Sequence, residues 1–419
     1  MNTQAEREKK DAPLFQGSGD PNQAQPPFDL SVSFSQGEFH EFLRVCTNLG
    51  VSDLTIQSGD YIWGEWKRVH TPMTTRRIEH NEVERAIRYM YGSTGVSQLI
   101  AGEATDFEYE ISVTDDDYQN VMRFRCNATA SRVGGIADGA SITMRTIAGL
   151  PMQWEALKLP EDIHENFFPQ YGLVLVLGTT GSGKSTLLAA GNRFRLENSS
   201  KPVKIITYEE PIEAVYTGLA QGRMPQPSQV QIGQHLRSFQ DAGRNAMRRK
   251  ADVIVMGESR DIESVSACFE MALSGHAVYS TLHADTPAEC FARMVSFFPE
   301  DSQPAAANKL LGTTRLIIAQ KLARKTDNSV AAIQSWLVID REVAQLFSEK
   351  PFYQWGAETA RITAERGTDF ESQTLPLFVR GELSFSTFRE VVNMTIAESI
   401  DYLTSKGYTD LIPKEIDVV

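Results

Sequence analysis

Between residues 172 and 343 four runs of nearly unbroken apolar character, LVLVL, VKIIT, DVIVM and AVYSTL, are separated by stretches long enough for helices. Unbroken apolar runs belong to strands buried on both faces, and their alternation with helical lengths predicts a parallel sheet joined by crossover helices. Upstream the pattern changes. SDLTIQSG, YIWGEWKRV, FEYEISV and MRFRCNATASRV alternate apolar with polar positions as half-buried strands do, whereas EFHEFLRVCTNLG and NEVERAIRYMYG carry the helical period. A strand through Ile142 and an exit at Pro151 close this α+β region after a glycine-rich turn.

Four segments follow from this pattern: a disordered arm over 1–30, an α+β domain with linker over 31–150, an α/β core over 151–345 and a mainly helical extension over 346–419. The arm's QGSGDPNQAQPPF is too polar and proline-rich to offset the entropy of ordering it. No internal repeat is visible.

Composition narrows the class. With 419 residues, 41% of them hydrophobic, the chain can bury more than one core. A net charge of −13 disfavours a protein that binds nucleic acid directly or spreads over an anionic membrane. The four cysteines are scattered without zinc or disulfide spacing, so buried reduced thiols are expected. Neither a signal peptide nor an apolar run of roughly 18 residues occurs, which predicts a cytoplasmic chain without a transmembrane segment.

Directly after LVLVL comes Gly178-Thr179-Thr180-Gly181-Ser182-Gly183-Lys184-Ser185-Thr186, a complete GxxxxGK[ST] phosphate loop followed by a helical stretch. Its glycines let backbone N–H groups face phosphate, Lys184 reaches the β- and γ-phosphates, and Ser185 offers its hydroxyl to Mg²⁺. ATP with Mg²⁺ is therefore the expected ligand pair. DVIVM delivers Glu258, placed to act on Mg²⁺ through a water or on the attacking water. In KIITYEEPIEA the strand ends at Glu209 and Glu210, with Glu213 close behind; these acids suit a general base, an outer ligand of Mg²⁺ or a solvated acidic turn. In HLRSFQDAGRNAMRRK, helical spacing groups Leu236, Phe239, Gly243 and Met247 on one face and Arg237, Arg244 and Arg248 beside it. That arginine stripe fits a phosphate contact or a solvated face.

GHAVYSTLHA carries His276 and His283 on either side of an apolar strand. An extended run of that length holds the rings about 23 Å apart, which excludes a shared metal ion and leaves core histidine or phosphate sensor. Strand direction puts His283 at the edge that carries Glu258 and His276 at the far end.

The ordered set GTTGSGKST, TYEEPIE, VIVMGESRD and GHAVYSTLHA resembles the Walker A, acidic, Walker B and histidine boxes of the hexameric secretion ATPases of the PilT, VirB11 and GspE type. SDLTIQSG, TDFEYEI, MRFRCNA and MRTI are similar to that family's N-terminal domain. The resemblance implies a RecA-like P-loop NTPase core with a mainly parallel sheet, preceded by a smaller α+β, PAS-like domain. It assigns catalytic roles to Glu209, Glu258, His276 and His283, and nominates Arg123, Arg125, Arg132 and Arg145 as arginines approaching nucleotide, beside Arg244 and Arg248. The family further implies a homohexameric ring recruited peripherally to the bacterial inner membrane by secretion-apparatus proteins. TYEE stands where an Ile-Glu-Asp run is commoner, which leaves the roles of Glu209 and Glu210 undivided, and the segment QGRMPQPSQVQ is an extra loop. A loose REVAQLFSEK and no tetracysteine cluster point away from pilus motors toward the DotB and plasmid TraJ type of the type IVB and conjugation systems. A pilus retraction motor and a slow nucleotide-switched scaffold are the alternatives.

Overall fold

The computed structural model describes residues 35–66, 69–113, 121–147, 149–216, 219, 224–327 and 329–413. The arm expected over 1–30 lies outside the described residues, as does the start of QGRMPQPSQVQ. The chain divides into two compact units, Met1–Gly149 and Leu150–Val419.

In the first unit, helix α1 (Gln36–Asn48) starts at a reciprocal cap: Glu38 N–H donates to the Ser35 hydroxyl, and Ser35 N–H donates to the Glu38 carboxylate. Strands β1 (Asp53–Gln57), β2 (Trp63–Trp66) and β3 (Val69–Pro72) precede helix α2 (His80–Tyr91) and the short α3 (Gly95–Ile100). Strands β4 (Thr105–Ser112), β5 (Val121–Val133) and β6 (Ile136–Ile147) complete an antiparallel sheet ordered β3-β2-β1-β6-β5-β4. Phe39, Phe42 and Leu43 of α1 and Val83 and Ile87 of α2 share a core with Leu54, Ile56, Phe124 and Ile142 of the sheet. The β5–β6 hairpin reverses at Gly134-Gly135, both with positive φ as a two-residue turn between twisted strands demands. Gly134 has a second reason to lack a side chain, since a Cβ there would stand 2.4 Å from the Ser58 carbonyl oxygen.

The second unit carries the parallel sheet. After α4 (Glu161–Asn166), β7 (Gly172–Leu177) runs into the phosphate loop and α5 (Lys184–Asn198). The remaining strands are β8 (Ile205–Glu209), β9 (Ser228–Gln231), β10 (Val253–Met256), β11 (Ala277–Leu282), β12 (Thr314–Arg324) and β13 (Val330–Val338), in the order β13-β12-β7-β11-β10-β8-β9. All neighbours are parallel except β12 and β13. Leu173, Leu175 and Leu177 of β7 enter one core and Val174 and Val176 the other, so the strand is apolar throughout because both faces are covered. The end of the expected extra loop is ordered as edge strand β9.

Helices α6 (Phe239–Arg249), α7 (Ile262–Leu273), α8 (Pro287–Val295) and α9 (Gln303–Thr313) cover the sheet. The apolar face expected on α6 is corrected at two positions, Leu236, which precedes the helix, and Met247, which is 47% exposed; the buried residues are Phe239, Ala242, Gly243 and Ala246. The Ser238 hydroxyl caps the helix at Asp241 N–H, which excludes Leu236 from it, and the small Gly243 lies close against Ala267 of α7. Helix α10 (Arg341–Ser348) spans position 345, and α11 (Trp355–Arg366), α12 (Phe370–Val379), α13 (Phe385–Val392) and α14 (Ile396–Ser405) follow. Val343, Phe347, Trp355, Ile362 and Phe370 share one core with the sheet. Among the described residues, no helix is long and apolar enough to cross a membrane. All four cysteines are buried and unpaired.

Candidate active site

The phosphate loop owes its shape to three glycines with positive φ, Gly178 at 147°, Gly181 at 79° and Gly183 at 85°. The Lys184 ammonium donates to the carbonyls of Gly178 and Thr179 at 2.8 and 2.9 Å, closing the loop on itself. Burial lowers the Lys184 pKa from its ordinary value, opposed by the negative charges of Glu258 and Glu213. The loop leans on β12 through the Gln320 amide, which donates from Nε2 to the Ser182 carbonyl at 2.7 Å.

Facing the loop across a cleft of about 380 Å³ stand the strand ends of β8, β10 and β11. This is where α/β sheets bind ligands, because parallel strands deliver their C-terminal residues to one edge. Thr180 to Thr186, Glu209, Glu210, Glu213, Glu258 and His283 line the cleft; Gly178 and Thr179 do not. Glu209 has one carboxylate oxygen buried without a hydrogen-bond partner among the described residues, and Glu213 N–H approaches the other at 3.4 Å. Burial pushes its pKa up to about 7, the Glu213 charge adding to the rise and nearby donors opposing it. His283 Nε2 lies 3.2 Å from a Glu258 carboxylate oxygen, and both side chains are partly exposed. Glu210 turns instead to an ion pair with Arg260, whose guanidinium lies over the Phe239 ring at 5.6 Å. The two neighbouring acids are thereby separated: one carboxylate oxygen of Glu209 is buried at the cleft, and Glu210 is ion-paired with Arg260 at the surface.

His276 lies at the opposite end of β11, where its Nδ1 sits 3.0 Å from the Ser274 hydroxyl and 3.1 Å from the Met271 carbonyl. It does not line the cleft, and neither do Arg237, Arg244 and Arg248, which are exposed. Arg244 lies 3.9 Å from the Asp241 carboxylate. In the antiparallel unit Arg125 stands opposite Arg145 in the β5–β6 register, while Arg123 pairs with Glu110 at 2.6 Å and Arg145 with Asp53 at 2.7 Å. Arg132 is exposed at the end of β5. Sequence reasoning missed Arg260 and Gln320. Arg260 is hidden beside the Asp261 cap of α7, while an amide inside the apolar run RLIIAQKLA was a signal available to be read.

Comparison with known proteins fits this geometry. The family described as Type II/IV secretion system protein matches residues 119–383. The type IV pilus retractation ATPase PilT of Pseudomonas aeruginosa is 28% identical over 345 residues, covering 81% of this chain and 92% of that protein. The uncharacterized protein YggR of Escherichia coli is 30% identical over 314 residues, which cover 75% of this chain and 90% of that protein. The X-ray structure of the Legionella pneumophila ATPase DotB is 35% identical, with a TM-score of 0.77 over 87% of this chain and 98% of that one.

Proposed function

The chain belongs to the Type II/IV secretion system protein family and is a P-loop ATPase, and from that premise we propose that it is a ring-forming motor of a bacterial type IVB secretion or conjugation system. One observation carries the catalytic part: a phosphate loop with Lys184 shares its cleft with Glu209, Glu258 and His283. The backbone N–H groups of the loop and Lys184 take the phosphate charge of ATP. Glu209, with a pKa of about 7, is matched to accept a proton from the attacking water near neutral pH. Glu258 orients that water, and His283 beside it senses the γ-phosphate. His276, remote from the cleft, serves a subunit or domain junction.

Magnesium fits the donor set. The Ser185 hydroxyl and the Glu258 carboxylate are hard oxygen donors in the same cleft and would hold it, Glu258 through a water. When bound, the ion supplies charge neutralisation at the phosphates.

Likeness to DotB over nearly the whole of that chain supports the type IVB branch, and on this reading six copies form a cytoplasmic ring recruited to the inner membrane by apparatus proteins. Likeness to PilT supports pilus retraction as the second reading. Glu258→Gln should bind ATP normally and lose turnover by about 10²–10⁴-fold; substantial hydrolysis would remove Glu258 from its role. Sedimentation with and without ATP tests the ring, and a strict monomer overturns it. A deletion strain that loses substrate transfer but still twitches favours the secretion branch; the reverse favours retraction.

A further inference from the structure

Two amides are buried where an apolar sheet needs none. Gln320 of β12 and Gln334 of β13 stand directly opposite each other in the antiparallel register, 4% and 5% exposed. Gln334 donates from Nε2 to Gln320 Oε1 at 3.0 Å, and Gln320 donates from Nε2 to the carbonyl of Ser182 in the phosphate loop at 2.7 Å. Burying amides costs free energy that apolar residues of similar size would not incur, so their presence calls for something the pair delivers. What leaves the end of the chain is one hydrogen-bond donor aimed at the loop.

The loop is also shaped around Gln320. A Cβ on Gly183 would stand 2.8 Å from Gln320 Nε2, and one on Gly178 would stand 2.6 Å from the Gln320 carbonyl oxygen. Two of the three positive-φ glycines therefore make room for this residue as well as for their own backbone turn. A phosphate loop works by turning N–H groups inward, which obliges its carbonyls to find donors elsewhere. Gln320 supplies one. An amide presents a donor at one end and an acceptor at the other, and a half-turn would set oxygen against oxygen at Ser182. The Gln334 donor at Oε1 adds to the cost of that half-turn, because Gln334 would have to turn with it.

We propose that Gln320 and Gln334 are positioning residues for nucleotide binding: Gln334 fixes which end of the Gln320 amide meets the phosphate loop, and Gln320 holds the Ser182 carbonyl so that the loop is formed before phosphate arrives. The proposal rests on the ATPase reading, and binding of Mg-ADP by the wild-type chain tests that reading separately. Neither residue touches nucleotide; both act through the loop. The signature is a loss of affinity larger than the loss of turnover at saturation, because bound phosphate re-forms the loop.

The test uses the full chain, with Mg-ADP titrations, steady-state ATP hydrolysis and melting without nucleotide. Gln320→Leu should raise the Kd for Mg-ADP and the KM for ATP by roughly ten- to a hundredfold, with a smaller fall in kcat. Gln320→Glu preserves shape but can donate to Ser182 only when protonated. Its Kd relative to wild type should fall as pH is lowered from 8 to 6. Gln334→Leu leaves the donor in place but unoriented and should cost less than Gln320→Leu. Wild-type affinity in a folded Gln320→Leu, or a Gln320→Glu defect that is flat with pH, overturns the proposal. If neither Gln320 variant folds, Gln334→Leu decides: raised Kd at unchanged melting temperature supports the relay, and wild-type Kd overturns it.

Discussion

The two walls of the nucleotide cleft are built from different materials. On one side the phosphate loop presents backbone, shaped by glycines and Lys184 and braced from behind by uncharged amides. On the other, strand ends present carboxylates, an imidazole and a guanidinium, several of them partly exposed. A wall of amides holds its geometry at any ordinary pH, whereas a wall of titratable side chains changes charge with its surroundings. On the proposed function this division makes binding and turnover separable: the loop side would hold phosphate, and the acidic side would act on the water.

That contrast can be broken most severely at Lys184. Lys184→Ala removes the proposed phosphate contact together with the two hydrogen bonds that close the loop, and should lower ATP turnover by about 10²–10³-fold, with nucleotide affinity falling too. Affinity unchanged in a nucleotide titration would place the binding wall elsewhere. The acidic side breaks differently. Glu209 holds its proton up to about pH 7 in the folded chain, against an ordinary value of 4.5, so the native state binds a proton that the unfolded chain releases. Stability from this group is full below about pH 4.5 and is lost as pH rises through about 7. Glu209→Gln should abolish that dependence: its melting temperature should gain on the wild type steadily from pH 5 to pH 8, and parallel curves would show that the carboxyl is not held protonated. The smallest effect is expected at His283. Its contact with Glu258 is partly exposed and contributes about 0–1 kcal/mol, so His283→Ala should melt within a few degrees of the wild type. Turnover should still fall, by less than in Lys184→Ala. Normal hydrolysis and normal transfer in this variant would make the histidine a structural residue.

The same two walls differ in how far they could be read from sequence. The loop is contiguous, and glycine spacing, lysine and hydroxyl follow one another within nine positions of a strand whose apolar run is unmistakable. Glu258 and His283 were legible because parallel strands send successive C-terminal residues to one edge. The split between Glu209 and Glu210 was not, since it depends on Arg260, fifty residues away, turning to meet Glu210. The brace behind the loop was hidden for a related reason: Gln320 and Gln334 interrupt apolar runs and acquire meaning only when β12 and β13 pair. On α6 the expected face began too early and ran too far, because the period alone reveals neither that Ser238 is the cap nor that Ala242 and Ala246, rather than Met247, complete the buried face.

The buried thiols have a practical consequence. Cys46 and Cys126 lie in the core of the first unit and Cys290 in one core of the second, where burial drives their pKa far above the ordinary thiol range, and Cys268 is pushed up to about 11. Alkylating reagents attack the thiolate, so the buried thiols of the native chain should react slowly with maleimides at neutral pH. A single cysteine introduced at an exposed site such as Arg125 or Arg244 would be the fast-reacting one, and a dye or crosslinker could be attached there without first removing any natural cysteine.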